Sequence, residues 1–309
     1  MKVGLYSITY SGTWYKGKAL SPEEIVDRAA AYGYDGVELD LKRPHGFPLD
    51  WSERRRREFR DYAAAKGIEL PAMAANNNFA SPIPELRENE LLMVHEQLKL
   101  TRDLGAKVLR IFAAWNGITF HDGIASYDIA KAFEPARNMD STKVERWRWV
   151  RDCIAECAGW AEEYGVVLAL QDHHPLVGSY PEMLSMVREV NSPWVRCCLD
   201  APCEPCQDSD YLAAAVQATG NLQSLSHFNG EWVRGKDGKS ELRADPFLGV
   251  KASNYPAFIH ELKKIGYDGY ICFEFCHPAL KNHETQGVEY VDNQAKLALE
   301  YMKRLVEEA

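Results

Sequence analysis

Four successive apolar runs in the second half of the chain each end in a side chain that could bind a metal ion. These residues are Gln171, Asp200, His227 and Glu274. A buried, unpaired charge at such a position is costly, and a shared divalent cation would offset that cost. Mixed oxygen and nitrogen ligands suit Mn²⁺, Mg²⁺, Co²⁺ or Zn²⁺. We predict one divalent ion held by Asp200, His227 and Glu274, with Gln171 or water completing the shell, and Mn²⁺ as the leading candidate.

Each of these residues also has an ordinary structural interpretation. A carboxylate at a strand end usually caps a helix or pairs with arginine, and an isolated histidine is usually a satisfied structural residue. Four such residues in order on adjacent strands make coincidence a poorer explanation than a shared site.

A repeated strand–helix unit would position these residues. Five helical segments are followed by a glycine that can adopt the left-handed conformation of a helix end, at Gly33, Gly67, Gly105, Gly165 and Gly266. An apolar run with strand-forming residues follows each glycine. At the first helix, Ser21, Pro22 and Glu24 predict a capping box with proline at the first helical position.

Eight β-rich runs alternate with amphipathic segments, which predicts a parallel sheet. The runs are 3–8, 37–41, 68–74, 108–112, 166–171, 195–200, 222–228 and 270–275, and the helical segments include 23–32, 53–66, 88–104, 144–164, 255–265 and 288–306. Eight units over this length indicate an α/β protein, a single (β/α)8 TIM barrel spanning residues 1–309. Chemistry in such barrels occurs at the carboxyl-terminal face of the strands, where we therefore expect the metal site.

The strand-end motifs resemble those of the xylose isomerase-like barrels known as sugar phosphate isomerases/epimerases, over essentially the whole chain. The matching motifs are Gly36-Val37-Glu38-Leu39, Leu199-Asp200, Ser226-His227 and Phe273-Glu274. The resemblance implies metal ligands at Asp200, His227 and Glu274. The chain departs from the family at Gln171, where the family has glutamate, and at Cys203, where it often has histidine.

Gln171 changes the chemistry that the resemblance implies. Ketose epimerases of this family are thought to use two metal-bound carboxylates as bases, and an amide cannot act as a base. A single general base remains, for which Glu274 and His173 are the candidates. One base suits isomerisation of a small keto sugar or polyol through an enediolate. It equally suits a metal-dependent lyase, either a dehydratase or a deglycosidase that cleaves keto-glycosides.

Four further residues are predicted to contact substrate. Trp115 follows strand four and could stack on a sugar ring, Glu38 and His45 lie in and after strand two, and Arg110 lies within strand four. A structural ion pair between Arg110 and Glu38 competes with that role. The connection 113–142 is too long for an ordinary loop, which favours a lid.

The composition of the chain limits which classes of binding partner are expected. The net charge of -9 disfavours nucleic acid, and no apolar run is long enough to cross a membrane. Eight scattered cysteines indicate reduced thiols and a cytoplasmic protein. We expect a small carbohydrate substrate and a homo-oligomer, with a small partner subunit as an alternative. An endonuclease IV-like nuclease and a non-catalytic barrel are the competing functions.

Overall fold

Eight parallel strands, one from each predicted run, close into a barrel in the computed structural model, which describes residues 1–243 and 252–309. They are β1 (Lys2–Tyr6), β2 (Gly36–Asp40), β3 (Ala72–Ala74), β4 (Val108–Ile111), β5 (Val167–Gln171), β6 (Val195–Cys198), β7 (Gln223–Phe228) and β8 (Tyr270–Phe273). Each strand pairs with its neighbours in sequence, and β1 pairs with β8. The predicted (β/α)8 barrel is confirmed.

Helices surround the barrel and connect consecutive strands. They are α1 (Pro22–Tyr32), α2 (Glu53–Ala65), α3 (Pro84–Asp103), α4 (Asp128–Ala132), α5 (Glu134–Arg137), α6 (Lys143–Tyr164), α7 (Tyr180–Val190), α8 (Ser209–Thr219), α9 (Tyr255–Lys264) and α10 (Val288–Glu308). The predicted capping box of α1 is present, because Ser21 and Glu24 bond each other's backbone N–H. Gly33 and Gly165 end α1 and α6 at φ values of 92° and 64°, where a side chain would be strained.

Strand β3 is shorter than the predicted run 68–74. Only an isolated bridge between Gly36 and Glu69 precedes it. Pro71 stands between this bridge and Ala72, and proline has no N–H to donate to a strand ladder. The predicted ends of five other strands also fall one or two residues beyond the ladder. Asp200 and Glu274 therefore stand just past β6 and β8, in the loops at the barrel mouth.

Side chains that alternate along the strands fill the barrel interior in layers. Tyr270 and Cys272 occupy the floor, where Gly36 leaves the space that the tyrosine ring needs: a Cβ on Gly36 would lie 2.9 Å from a carbon of that ring. Polar residues occupy the same inward positions nearer the carboxyl ends. Every second residue of a strand points into the barrel. Inward residues near the start of a strand therefore belong to the apolar floor, and those near its end belong to the polar mouth.

The long connection 113–142 lies over the mouth. It contains a hairpin of Thr119–His121 and Ile124–Ser126, followed by α4 and α5. The Tyr127 hydroxyl donates to the carbonyl of Cys276 at 3.0 Å, which ties this connection to the loop after β8. Among the described residues, no helix is both long enough and apolar enough to span a bilayer.

Candidate metal and substrate site

A buried cluster at the ends of β6 and β7 centres on Asp200. Its Oδ1 accepts from the His227 backbone N–H at 2.6 Å, and its Oδ2 lies 2.9 Å from His227 Nδ1. Cys198 Sγ lies 3.6 Å from the same imidazole nitrogen. The potential ligand atoms of these three residues all lie within 4.8 Å of one another. The structure therefore brings together two of the predicted ligands and adds a thiol.

Gln171 lies at the edge of this cluster. Its Nε2 donates to Asp200 Oδ2 at 2.5 Å. Its Oε1 is buried without a hydrogen-bond partner among the described residues. A buried amide oxygen of this kind normally has a donor or a cation beside it. Together with the carboxylate and the imidazole, this oxygen makes a donor set that fits a hard divalent ion.

His227 lies between two carboxylates, because Glu38 Oε2 is 2.9 Å from its Nε2. Burial lowers the pKa of His227, but Glu38 and Asp200 raise it by more, so the net pKa lies well above the usual value. The ring is then protonated on both nitrogens. Binding of a cation at Nδ1 requires release of one proton, as is usual for metal-binding histidines.

Glu274 reaches the same region from β8. Its carboxylate lies outside the tight cluster and accepts from the amide of Asn229 at 3.4 Å. Burial raises the pKa of Glu274, while His227 and Arg110 lower it less. Glu274 lines the pocket at the barrel mouth together with Gln171 and His173. A carboxylate with a raised pKa in a pocket has the properties of a general base.

His173 also faces this pocket. Its Nδ1 lies 2.6 Å from the carbonyl of His174, so Nδ1 carries the proton and donates it. Burial lowers the pKa of His173 to about 4. His173 is therefore neutral near pH 7 and a weaker base than its unperturbed value suggests. Its Nε2 can accept a hydrogen bond from a substrate hydroxyl.

Arg110 is a buried cation in the pocket wall. Its guanidinium donates to the Tyr6 hydroxyl at 2.8 Å and to the carbonyl of Ala75 at 3.0 Å. Its Nε has no partner among the described residues. The ion pair with Glu38 that the sequence suggested does not form, because Glu38 pairs with His227 instead. Arg110 thus keeps donor capacity for an oxygen-rich ligand.

The other two predicted substrate residues lie apart from the pocket. Glu38 is fully buried below the mouth, against His227. His45 is 3% exposed and lies within the loop after β2, where its carbonyl accepts from the Trp51 indole. Neither residue is among those that line the pocket with Glu274. Both side chains are buried, and the sequence pattern does not distinguish such positions from those that line the mouth.

Aromatic side chains form one wall of the pocket. Trp115 stacks on Phe112, with ring centroids 4.9 Å apart and planes 13° apart. The rings of His173 and Tyr127 are T-shaped to the Trp115 ring, with centroid distances of 5.2 and 5.9 Å. A flat, rigid aromatic face of this kind can pack against the C–H face of a sugar ring.

Asp172, which follows Gln171 in the chain, is not among the residues that line the pocket. Its Oδ1 accepts from the backbone N–H of Asp200 at 3.0 Å. Burial raises the pKa of Asp172 well above its usual value, and the nearby carboxylates of Asp200 and Glu204 raise it further. Asp172 therefore fixes the backbone that carries Asp200. Its position agrees with the alternation of side chains along a strand, since Gln171 and His173 line the pocket and Asp172 does not.

Sequence reasoning missed Cys198, Tyr6 and Tyr127. Cys198 shares strand parity with Asp200, a signal that was available in the sequence. Tyr6 ends β1 and lines the pocket, where its hydroxyl donates to Asp40 at 3.2 Å. Tyr127 comes from the long connection and had no local signal, because only the folded chain brings that connection over the mouth.

A second cavity, of about 370 Å³, lies on the other side of Trp115. Residues from α3, the long connection and the loop after β5 line it, including Glu90, Arg137, Arg146, Asn78 and Leu176. Burial raises the pKa of Glu90 to about 7. This carboxyl therefore changes charge close to neutral pH.

Glu90 makes stability depend on pH. Its pKa is raised on folding, so the folded state holds a proton that the unfolded state releases between about pH 4.5 and 7. Stability should fall as pH rises through this window, by at most roughly 1.4 kcal/mol per pH unit. Glu90→Gln should remove this dependence, measured by urea unfolding at pH 5 and pH 8. The exposed Glu88→Gln on the same helix is the control, and an equal pH response in Glu90→Gln and the parent would contradict the prediction.

A model of the xylose isomerase-like TIM barrel family matches residues 26–305. D-psicose 3-epimerase from Clostridium cellulolyticum H10, solved with D-tagatose, has a TM-score of 0.72 and 18% identity, over 99% of each chain. The 3-keto-D-glucoside 4-epimerase YcjR from E. coli has a TM-score of 0.68 and 18% identity, over 97% of this chain and 99% of that one.

A third similar structure contains a metal. The IolI protein with a bound zinc atom has a TM-score of 0.68 and 18% identity, over 100% of this chain and 99% of that one. No curated protein sequence matches the chain. At these identities the similar structures show the fold alone, whereas the family model covers most of the chain. The chain therefore belongs to the xylose isomerase-like TIM barrel family.

Proposed function

We propose that this protein is a divalent-metal-dependent isomerase or epimerase that acts on a small keto sugar or polyol through an enediolate. One observation carries the proposal. Among the described residues that line the mouth pocket, Glu274 is the only carboxylate, and it is near enough to His227 and Asp200 to interact with both electrostatically. A base next to a cation site is the arrangement that proton abstraction beside a carbonyl needs.

Asp200, His227, Gln171 and Glu274 would hold the ion, with Mn²⁺ as the leading candidate. The oxygen-rich set suits a hard ion, and burial keeps the Cys198 thiol protonated by raising its pKa. A bound ion would supply positive charge that stabilises negative charge developing on a substrate oxygen.

Glu274 would carry the proton. In the proposed step its carboxylate removes the hydrogen on the hydroxyl-bearing carbon beside the carbonyl, leaving an enediolate. The hydroxyl proton moves to the former carbonyl oxygen, and Glu274 returns its proton to the former carbonyl carbon, so that the carbonyl and hydroxyl exchange places. His173, neutral and weakly basic, would accept a hydrogen bond from a substrate hydroxyl through Nε2. Arg110 would donate to a substrate oxygen through its unpartnered Nε.

A small carbohydrate fits the pocket best. The wall formed by Trp115 and Phe112 offers an apolar face, and the lining also includes polar side chains such as Arg110, Gln171 and Glu274. Two similar structures are of sugar epimerases by name, which supports the same substrate class.

Gln171 favours a second candidate, a lyase that uses one base. Epimerisation by two carboxylates needs an acid–base group at this position, and an amide has none. With Glu274 as the single base, abstraction of the same proton can be followed by loss of a β-hydroxyl or a glycosyl oxygen. The two candidates share the first step and differ in the product.

Proton exchange tests that shared step. The Mn²⁺-loaded protein is incubated in D₂O with D-fructose, D-tagatose and 3-keto-glucosides, and ¹H NMR follows the hydrogen beside the carbonyl. We expect exchange with at least one sugar, with an isomer as product for an isomerase and an unsaturated ketone for a lyase. Glu274→Gln should slow exchange by roughly 100- to 10,000-fold. The variant Glu261→Gln, in α9 and away from the pocket, is the control, and no exchange with any of these sugars would contradict the proposal.

Trp115 provides a separate test of the sugar-stacking wall. Trp115→Ala should lower kcat/KM by about tenfold, mostly by raising KM, because it removes the flat face that packs on the ring. Steady-state kinetics on the sugar found by exchange would measure this. Trp149→Ala, which removes a tryptophan of α6 that packs on Arg87, is the matched control. Equal KM values for Trp115→Ala and the parent would refute the stacking role.

A further inference from the structure

The imidazole of His227 is held on both sides by carboxylates. Nδ1 lies 2.9 Å from Asp200 Oδ2, and Nε2 lies 2.9 Å from Glu38 Oε2. The three side chains are fully buried. Asp200 precedes His227 by one strand, but Glu38 comes from β2, 189 residues away in the sequence. The contact with Glu38 therefore crosses the barrel interior.

Glu38 is buried in the barrel interior and does not contact the mouth pocket. The mouth pocket is lined by Gln171, Glu274 and other residues, and Glu38 is not one of them. Its carboxylate interacts electrostatically with Tyr6, Arg110 and Cys272. The position suits an action through the imidazole better than contact with a ligand.

The two ring nitrogens have different tasks when histidine binds a metal. One nitrogen must present a lone pair, and the other keeps the proton. The partner of the second nitrogen decides which tautomer forms, and carboxylates are common partners in metal sites. Here the carboxylate of Glu38 faces Nε2, so when a cation displaces the proton on Nδ1, the proton on Nε2 would stay and the lone pair would lie at Nδ1, beside Asp200.

We propose that Glu38 is a positioning residue that fixes the tautomer and orientation of His227 for binding a divalent cation at Nδ1. This inference rests on the proposed function, in which Asp200 and His227 hold the ion. It assigns to Glu38 a role different from the substrate contact that its place in the sequence suggested. It also explains why a carboxylate is buried so deep beneath the mouth, where a charge without a partner would be costly.

Cobalt binding tests the role without any substrate. Affinity for Co²⁺ is measured by competition with a chromophoric chelator, and the absorption spectrum of bound Co²⁺ reports its coordination. Glu38→Ala should weaken binding roughly 10- to 100-fold and change the spectrum. Glu38→Gln keeps an acceptor at Nε2 and should retain the parent spectrum, with binding weakened roughly three- to tenfold.

Asp40→Asn is the matched control. Asp40 is a fully buried carboxylate on the same strand, two residues further on, and it bonds Tyr6 and Asn76 instead of a histidine. The Co²⁺ affinity of this variant should stay within about twofold of the parent, because Asp40 makes no hydrogen bond to a proposed metal ligand. A purely structural ion pair would give a different pattern: Glu38→Ala would melt at a lower temperature but bind Co²⁺ as tightly as the parent.

The outcomes separate the two proposals. A parent that binds no Co²⁺, Mn²⁺ or Zn²⁺ would overturn the proposed function, and the inference with it. A parent that binds Co²⁺ while both Glu38 variants bind equally well would overturn the inference alone. If Glu38→Ala does not fold, Glu38→Gln decides: an affinity within about twofold of the parent refutes the positioning role.

Discussion

Replacing Asp200 with alanine is expected to abolish metal binding and lower stability together. Asp200 accepts from the backbone and the ring of His227 and from the amide of Gln171. Its loss would leave these buried donors without an acceptor, at a cost of about 3 to 5 kcal/mol. It would also remove the central ligand, so metal affinity should fall by more than roughly 100-fold.

Elemental analysis and thermal unfolding would measure both effects. The parent should hold about one equivalent of metal, and Asp200→Ala and Glu274→Ala should hold none. Asp200→Asn keeps the shape of the side chain and decides the matter if the alanine variant does not fold. Asp103→Ala, which breaks a surface ion pair with Arg56, should retain the metal. Full metal content in Asp200→Asn would show that the cluster at β6 and β7 is not the metal site.

Replacing Gln171 with glutamate is expected to make stability depend strongly on metal. Its amide nitrogen lies 2.5 Å from Asp200 Oδ2, so a glutamate there would bring two carboxylates together in a buried site. Like charges at this distance cannot both ionise freely, and the metal-free variant should lose on the order of 2 kcal/mol. With metal the second carboxylate becomes a ligand, and binding 100-fold tighter would return about 2.7 kcal/mol.

Melting temperatures with and without Mn²⁺ test this prediction. The variant should melt below the parent in chelator, and its rise on adding Mn²⁺ should exceed that of the parent. Gln294→Glu is a matched control, because Gln294 is also buried but bonds only the backbone of Trp232. That control should lose stability without recovering it in Mn²⁺. An equal Mn²⁺ response in Gln171→Glu and the parent would place Gln171 outside the coordination shell.

The glutamate variant bears on the reaction as well. It would place a second carboxylate beside Glu274 in the pocket, which two-base epimerisation needs. A gain of epimerised product in the D₂O experiment would identify Gln171 as the residue that limits the parent to one-base chemistry.

Much of the barrel was predictable from the sequence, because its signals are local. Apolar runs with period two, helices with period 3.6 and glycines after helices each depend on a few neighbouring residues. Eight repeats of these signals predicted the closed barrel that the structure has. The barrel then placed Asp200, His227 and Glu274 at one face, since the carboxyl ends of its strands meet there. Local signals failed where proline interrupts β3, because pairing depends on donors and not on hydropathy.

Tertiary structure alone decided how the polar residues are paired. His227 and Glu38 are far apart in sequence, and only closure of the barrel brings β2 and β7 side chains into contact. The same closure joins Arg110 to Tyr6 and buries His45 away from the mouth. Burial also shifts the pKa values of the two candidate bases in opposite directions, raising that of Glu274 and lowering that of His173. The sequence by itself determined which residues end the strands. Their partners and proton affinities follow from distance and desolvation, which exist only in the folded chain.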